Sequence, residues 1–115
     1  MKKTKKQEML EFQETLGKRL CSLRVMNDVM QSELSELLGV DRTTYSYYER
    51  GKISINIYYL SRLSRFFGIP LDLLATADDR QFLEYFDELV EKRTGYKTDR
   101  VNNRVIPPDE KYDDK

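Results

Sequence analysis

Histidine is absent from this chain of 115 residues, and its only cysteine is Cys21. A lone cysteine excludes a disulfide bond within the chain, and without histidine there is no metal site built on His or on several Cys ligands. The usual general base, and the usual partner of a nucleophilic Ser or Cys, are missing as well. We therefore expect no enzyme, no metal and no cofactor, and we interpret Cys21 as a small packing residue.

Long apolar runs are also absent, since no stretch approaches the roughly 20 residues that are needed to span a bilayer. The amino terminus carries charge at Lys2, Lys3, Lys5 and Lys6. It lacks the apolar segment and the small-residue cleavage site that a secretory signal peptide would place behind that charge. The sequence therefore predicts a cytoplasmic protein that does not bind membranes.

The 20 basic and 20 acidic residues give a net charge of zero, but they are unevenly spread. Residues 1–13 carry a net charge of +2, residues 14–75 carry +1 and residues 76–115 carry −3. Binding to nucleic acid requires a basic face rather than a basic protein. The overall neutrality therefore does not exclude nucleic-acid binding.

Apolar residues near the amino terminus recur at intervals of three or four, which is the spacing of one helix face. They predict one long helix over residues 6–26, with a frayed or bent point at Gly17. The residues on this face are Met9, Phe12, Leu16, Leu20 and Leu23.

Helix-start and helix-stop residues predict four more helices. Gly39 and Gly68 suit the left-handed position just past the end of a helix. Asn56 is a good N-cap, and Pro70 suits the first residue of a helix. The helices bounded in this way cover residues 31–38, 42–50, 57–67 and 70–75.

A sixth helix is predicted over residues 77–93, where Thr76 and Asp79 resemble a capping box and Gly95 closes the helix. One face of this helix is an apolar stripe. We name it the C-terminal stripe, and it consists of Phe82, Tyr85, Phe86, Leu89 and Val90. From Tyr96 onward no periodicity is visible, so we expect an irregular tail and an all-α fold class.

The segment 42–50, with the sequence RTTYSYYER, is rich in Thr and Tyr, which favour strands. If it is nevertheless helical, its residues separate into two faces. Tyr45, Tyr48 and Glu49 share the inward face, and the outward face carries Arg42, Thr43, Ser46, Tyr47 and Arg50. A solvated helix more often carries Glu and Lys, whereas Arg, Ser, Thr and Tyr can bond to base edges and phosphates in a DNA groove.

Helix 31–38, the short link GVD and helix 42–50 form a tight helix-turn-helix pattern. The order and spacing of LGKRLCSLR, QSEL, LGV, YSYYERGK and FGIPLDLL over residues 16–74 resemble the Cro/phage-repressor helix-turn-helix family, also called the XRE family. The resemblance covers about half of the chain. It implies a fold of five short helices and a transcriptional regulator that binds palindromic double-stranded DNA as a dimer.

The resemblance also implies roles for individual residues. Arg42, Thr43 and Tyr47 match the base-contacting positions, with Ser46 beside them. Phosphate contacts are implied for three residues, namely Gln31, Arg50 and Lys52. Arg24 and Glu49 match an ion pair that links the first and third helices. The sequence departs from the family at Met30, where the usual Ser or Thr cap of the second helix is missing, and at Ile55, where the family usually has Pro.

These patterns divide the chain into four segments. Residues 1–13 are a basic arm with the start of the first helix, and residues 14–75 are the helix-turn-helix domain. Residues 76–95 form the extra helix, and residues 96–115 form the irregular tail. The arm is either a segment that reaches around the DNA or a solvated basic tip. The C-terminal stripe either mediates self-association, which we favour, or packs on its own subunit.

We expect a transcriptional regulator, a repressor rather than an activator, that works as a homodimer or a higher homo-oligomer. The chain has no room for a separate effector domain, so its control would come from a regulatory protein partner, from proteolysis or from its abundance. The alternative is a protein-interaction module of the same fold, such as an antitoxin or an antagonist of another regulator, which pairs through residues 77–95. The nearly balanced charge of residues 14–75 keeps this alternative open.

Overall fold

The computed structural model describes residues 2–108, and within them the chain forms six α-helices and one two-stranded antiparallel sheet. The helices α1 to α5 and the extra helix α6 confirm the expected helix-turn-helix fold class. The elements are α1 Lys5–Met26, α2 Gln31–Leu38, α3 Arg42–Glu49, α4 Ile57–Phe67, α5 Leu71–Ala75, α6 Asp79–Thr94, β1 Lys97–Asp99 and β2 Arg104–Ile106.

The chain divides into two compact units between Thr76 and Ala77. The first unit contains α1 to α5, and its core is built from the inward apolar residues of these helices. Its fully buried large side chains are Leu20, Leu23, Leu34, Tyr45, Leu63, Ile69 and Leu74. The second unit contains α6 and the sheet.

Helix α1 is continuous from Lys5 to Met26, so the predicted fraying at Gly17 is wrong. Thr4 caps the helix in a capping box with Gln7. Gly17 is buried, and a Cβ atom added to it would lie 2.7 Å from the Glu49 carbonyl carbon and 2.8 Å from the Tyr48 carbonyl oxygen. The glycine therefore allows the backbone of α1 to approach the end of α3 closely.

The cap residues of α6 differ from those predicted by sequence. Asp78 is the N-cap, and its side chain accepts from the Gln81 backbone N–H at 2.8 Å. The Gln81 side chain in turn accepts from the Asp78 N–H at 3.1 Å, because a glutamine has the reach that a capping box needs. Thr76 instead donates its hydroxyl to the Asp72 carbonyl at the end of α5. The predicted capping box of Thr76 and Asp79 is therefore wrong.

The predicted irregular tail is also wrong for residues 97–106, which form a β-hairpin. Asp99 pairs with Arg104 across a loop of four residues. The buried Asp99 carboxylate accepts from the backbone N–H and the side-chain amide of Asn102, and these bonds lower the pKa of Asp99. Asn103 has a φ of 52°, a left-handed conformation that Asn tolerates better than most residues. The rest of the predicted tail, residues 109–115, lies outside the described residues.

Two ion pairs join the hairpin to α6. Arg100 donates to both carboxylate oxygens of Asp87, at 2.7 and 2.6 Å, and the Lys97 ammonium lies 3.7 Å from Glu91. The bidentate pair is the stronger of the two, because both of its hydrogen bonds are short and charge-assisted. The second unit therefore has a defined contact between its helix and its sheet.

The C-terminal stripe is largely covered in the single chain. Phe82 is buried, and its ring stacks on that of Phe86 with 5.8 Å between the centroids. The other four residues of the stripe are half-buried. A subunit alone therefore exposes less apolar surface on α6 than the sequence pattern predicted.

Candidate nucleic-acid interface

The segment between α2 and α3 is a three-residue turn, residues 39–41. Gly39 ends α2 with a φ of 75°, and the Val40 N–H donates back to the Ser35 carbonyl at 3.0 Å. Asp41 begins α3, since its carboxylate accepts from the Thr44 backbone N–H at 2.7 Å. That bond lowers the pKa of Asp41. The turn fixes the angle at which α3 leaves α2.

The inward face of α3 is formed by Tyr45 and Tyr48, which are both buried. Their rings meet edge to face, with 6.3 Å between the centroids. Burial raises the pKa of the Tyr45 hydroxyl, and the nearby Glu49 carboxylate raises it further. The packing of these rings outweighs the strand preference of the segment, because intrinsic propensity contributes less to the free energy than tertiary contacts do.

Glu49 connects three helices. Its carboxylate accepts from Arg24 of α1 at 2.7 and 3.2 Å, and from the Gln31 side-chain amide of α2 at 3.1 Å. Arg24 also donates to the Val29 carbonyl at 3.0 Å. The hydrogen bond to Glu49 raises the pKa of Arg24. Glu49 therefore holds α3 against α1 by an ion pair and against α2 by an amide hydrogen bond.

Gln31, the first residue of α2, is half-buried and is oriented by its bond to Glu49. Met30 precedes it as the N-cap and makes no side-chain capping bond, as its apolar side chain requires. The end of α3 and the start of α2 are thus joined through one side-chain amide.

The outward face of α3 contains the side chains that the sequence assigned to base contacts. Arg42 and Thr43 are exposed, Ser46 is half-buried and Tyr47 is 37% exposed. The Arg50 guanidinium lies over the Tyr47 ring, 4.9 Å from its centroid, in the geometry of a cation–π contact. This face therefore presents two guanidinium groups, hydroxyls and an aromatic ring to solvent.

The segment after α3 places two cations at its end. Arg50 is the C-cap, one residue beyond the helix, so α3 ends one residue earlier than predicted. Gly51 follows with a φ of 68°, and the Lys52 N–H donates to the Tyr47 carbonyl at 2.9 Å. Lys52 is exposed. Arg50 and Lys52 thus lie directly beside the outward face of α3.

The predicted amino-terminal arm is helical from Lys5 onward, so Lys5 and Lys6 lie on α1 rather than in an extended segment. The Lys3 ammonium lies 2.7 Å from Glu11, and this hydrogen bond raises the pKa of Lys3. Both side chains are more than half exposed. Two of the four lysines therefore belong to a regular helix.

Sequence reasoning missed Gln13, which is 9% exposed and donates to the Gly51 carbonyl from α1. Its position is three residues before Leu16, on the inward face of α1. A polar residue at such a position is the signal by which it could have been found, because buried polar groups are almost always hydrogen-bonded.

Within residues 2–108 there is no cluster of three or more Cys, Asp and Glu side chains with the geometry of a metal site. In that part of the chain no helix combines the length and the apolar character that crossing a membrane requires.

Comparison with known proteins locates a helix-turn-helix family model on residues 22–74. This range contains α2 to α4, all of α5 except its last residue, the last turn of α1, and all the residues assigned above to base and phosphate contacts.

Two relatives each match about half of the chain. A cryptic phage CTXphi transcriptional repressor, RstR of Vibrio cholerae, is 34% identical over 53 residues, which are 46% of this chain and 48% of the relative. An SPbeta prophage-derived uncharacterized HTH-type transcriptional regulator, YonR of Bacillus subtilis (strain 168), is 32% identical over 66 residues, which are 57% of this chain and 61% of the relative. The aligned part thus spans about half to three fifths of the length of these relatives. Residues 22–74 of the chain thus match the helix-turn-helix family model, and the chain is similar to phage-type transcriptional regulators.

Proposed function

We propose that the protein is a sequence-specific DNA-binding regulator of transcription, and a repressor. The observation that carries this proposal is the division of α3 into two faces. Tyr45, Tyr48 and Glu49 are buried on the inward face, while Arg42 and Tyr47 stand outward in solvent. The two relatives are named as a repressor and as a regulator of transcription, which supports the same reading.

Base recognition is assigned to Arg42, Thr43, Ser46 and Tyr47. A guanidinium can donate two hydrogen bonds to the O6 and N7 atoms of guanine in the major groove, and hydroxyls can bond to any base. The short helix α3 is rigid because its inward face is anchored at Glu49 by Arg24 and Gln31. A rigid helix loses little conformational entropy on binding, so more of the contact energy appears as affinity.

Phosphate binding is assigned to Gln31, Arg50 and Lys52, which lie at the start of α2 and just after α3. Contacts to phosphate fix the register of the protein on the duplex and carry no sequence information themselves. The near-neutral charge of residues 14–75 is compatible with this assignment, because Arg42, Arg50 and Lys52 lie on α3 or directly beside its end. Two subunits related by a twofold axis would place their α3 helices about 34 Å apart on a palindromic operator.

Selection of binding sites from random double-stranded DNA by the full chain tests the proposal. We expect enrichment of a palindrome whose half-sites are one helical turn apart. The matched control is the double variant Arg42→Ala/Tyr47→Ala, whose changes lie at solvent-exposed positions and leave the core intact. No enrichment by the wild-type chain would contradict the proposal and would favour the protein-interaction module.

A further inference from the structure

Gln13 of α1 makes two hydrogen bonds to the loop that follows α3. Its amide nitrogen Nε2 donates to the Gly51 carbonyl at 3.1 Å, and its oxygen Oε1 accepts from the Ser54 hydroxyl at 2.7 Å. Gln13 is itself 9% exposed, and its bond to Gly51 is buried, whereas Ser54 is exposed and its bond is only partly buried. We propose that Gln13 is a positioning residue for DNA binding, which holds the segment Arg50–Lys52 in the conformation that reaches the phosphates. This inference rests on the proposed function.

The position of the Gly51 carbonyl explains why this bond matters for DNA. Gly51 lies between Arg50 and Lys52, the two cations assigned to phosphate. A hydrogen bond to the carbonyl of the Gly51–Lys52 peptide unit restricts the backbone between these two cations. Because ordering a loop on binding costs conformational entropy, a loop that is fixed beforehand binds more tightly with the same contacts.

The backbone of the loop also lies directly against α1. A Cβ atom added to Gly51 would lie 2.7 Å from the Glu14 Cα atom and 3.0 Å from the Gln13 carbonyl carbon. Gly51 has a φ of 68°, which disfavours any other residue at that position. The loop is therefore seated on one turn of α1, and Gln13 is the side chain of that turn that bonds to it.

The two bonds require a side chain that donates and accepts at the same place. The amide of Gln does both, whereas an ionised Glu only accepts and Leu does neither. Gln13→Glu would keep the bond from Ser54 and lose the one to the Gly51 carbonyl. Gln13→Leu would lose both. Ser54→Ala would keep the bond to Gly51, so these three variants separate the two contacts.

The experiment measures binding of the full chain to a selected operator and to its scrambled sequence over a series of salt concentrations. We expect Gln13→Leu and Gln13→Glu to reduce the magnitude of the slope of log K against log [salt] by about one, as the loss of one phosphate contact does. The ratio of affinities for operator and scrambled DNA should stay at the wild-type value. Ser54→Ala should keep most of the wild-type slope. A lower population of folded protein would reduce affinity and leave the slope unchanged.

A double-mutant cycle with Lys52→Ala identifies the segment through which Gln13 acts. If Gln13 acts through Lys52, the effect of Gln13→Glu on the slope should shrink when Lys52 is already alanine. The matched control is Ser64→Ala, which removes a side-chain hydrogen bond to a different loop carbonyl, that of Ile69, and should leave the slope unchanged.

Circular dichroism and thermal melting first establish which variants are folded. Should Gln13→Leu not fold, Gln13→Glu carries the test. Folded Gln13 variants with the wild-type slope would overturn the inference, as would an undiminished effect of Gln13→Glu beside Lys52→Ala. If the wild-type chain does not bind DNA, it is the proposed function that fails.

Discussion

Glu49 stabilises the joint between α1, α2 and α3 by bonds to Arg24 and Gln31. The Glu49 side chain is 5% exposed and that of Arg24 is 18% exposed. Removing one partner of a buried ion pair leaves the other charge uncompensated, at a cost of about 3–5 kcal/mol. Because Arg24 retains some contact with solvent, we expect Glu49→Ala to lower the free energy of unfolding by about 3 kcal/mol, as measured by denaturant titration.

The control for Glu49 is Glu36→Ala, which removes an exposed carboxylate on α2 and should change stability by less than about 0.5 kcal/mol. The double variant Arg24→Met/Glu49→Met should recover part of the loss, since it leaves no unpaired charge in this pair. A denaturation midpoint for Glu49→Ala equal to that of Glu36→Ala would contradict the predicted cost.

A second prediction at the residue scale separates base contacts from phosphate contacts. Arg42→Ala and Tyr47→Ala should relax the preference for the operator, because one good base contact is worth about 1–3 kcal/mol of discrimination. Lys52→Ala should weaken binding to all DNA alike and lower the salt slope by about one. Titrations of operator and scrambled DNA at several salt concentrations measure both quantities.

The substitution Tyr47→Ala changes a second contact besides the proposed base contact of Tyr47. Since the Arg50 guanidinium lies over the Tyr47 ring, Tyr47→Ala also frees Arg50. The matched variant Tyr47→Phe keeps the ring and removes only the hydroxyl. Unchanged operator preference in both Arg42→Ala and Tyr47→Ala would refute the assignment of α3 as the base-contacting element.

At the scale of elements, the packing of α1 against α3 depends on Gly17. An alanine in a helix interior is normally favoured over glycine by about 1 kcal/mol. Here the added methyl group would lie within 3 Å of the backbone of Tyr48 and Glu49, where no flexible side chain can give way. We expect Gly17→Ala to lower the free energy of unfolding by about 1–3 kcal/mol through overpacking.

Denaturant titration of Gly17→Ala beside Ser22→Ala checks this expectation. Ser22 is exposed on the same helix, so alanine there should change stability by a few tenths of a kcal/mol in the favourable direction. A Gly17→Ala variant that is as stable as the wild type would mean that α1 and α3 can move apart without loss of stability.

The helices of the first unit could be predicted from the sequence to within one residue, because most of their ends carry a local chemical signal. Asp41 and Asn56 cap α3 and α4, and Gly39 and Gly68 end α2 and α4 in the left-handed conformation. The outward face of α3 could be predicted as well, since helical periodicity separates it from the buried tyrosines. These features depend on residues at most four positions apart.

The features that sequence reasoning missed depend on contacts between distant residues. The hairpin has strands of only three residues, too short for an alternating pattern, and the bidentate pair of Arg100 with Asp87 links positions 13 apart. Gln13 and Gly51 are 38 positions apart. Folding brings these groups together, and no local pattern in the sequence indicates which residues will pair.

At the scale of the whole molecule, the exposure of the C-terminal stripe determines which oligomeric state we expect. Phe82 is buried and the other four residues are half-buried in one subunit, so the free apolar area on α6 is smaller than the periodicity predicted. A dimer that uses this helix would therefore bury the remaining exposed parts of the half-buried side chains, and its stability would be modest. Large exposed apolar patches are uncommon on monomeric proteins, and the partial burial of this stripe leaves only a small patch on one subunit.

We predict that the full chain sediments as a dimer or a larger oligomer at tens of micromolar, and that a chain ending at Thr76 sediments as a monomer. The truncated chain should bind the operator far more weakly, since its two half-sites would be occupied independently. Val101→Lys in the full chain is the control, because this residue of the hairpin loop is 94% exposed and lies outside the stripe. If the full chain and the truncated chain both sediment as monomers, the stripe packs on its own subunit, and the twofold arrangement must form on the DNA itself. In that case the second half-site should be filled cooperatively in a binding titration, and separating the half-sites by half a helical turn should abolish the cooperativity.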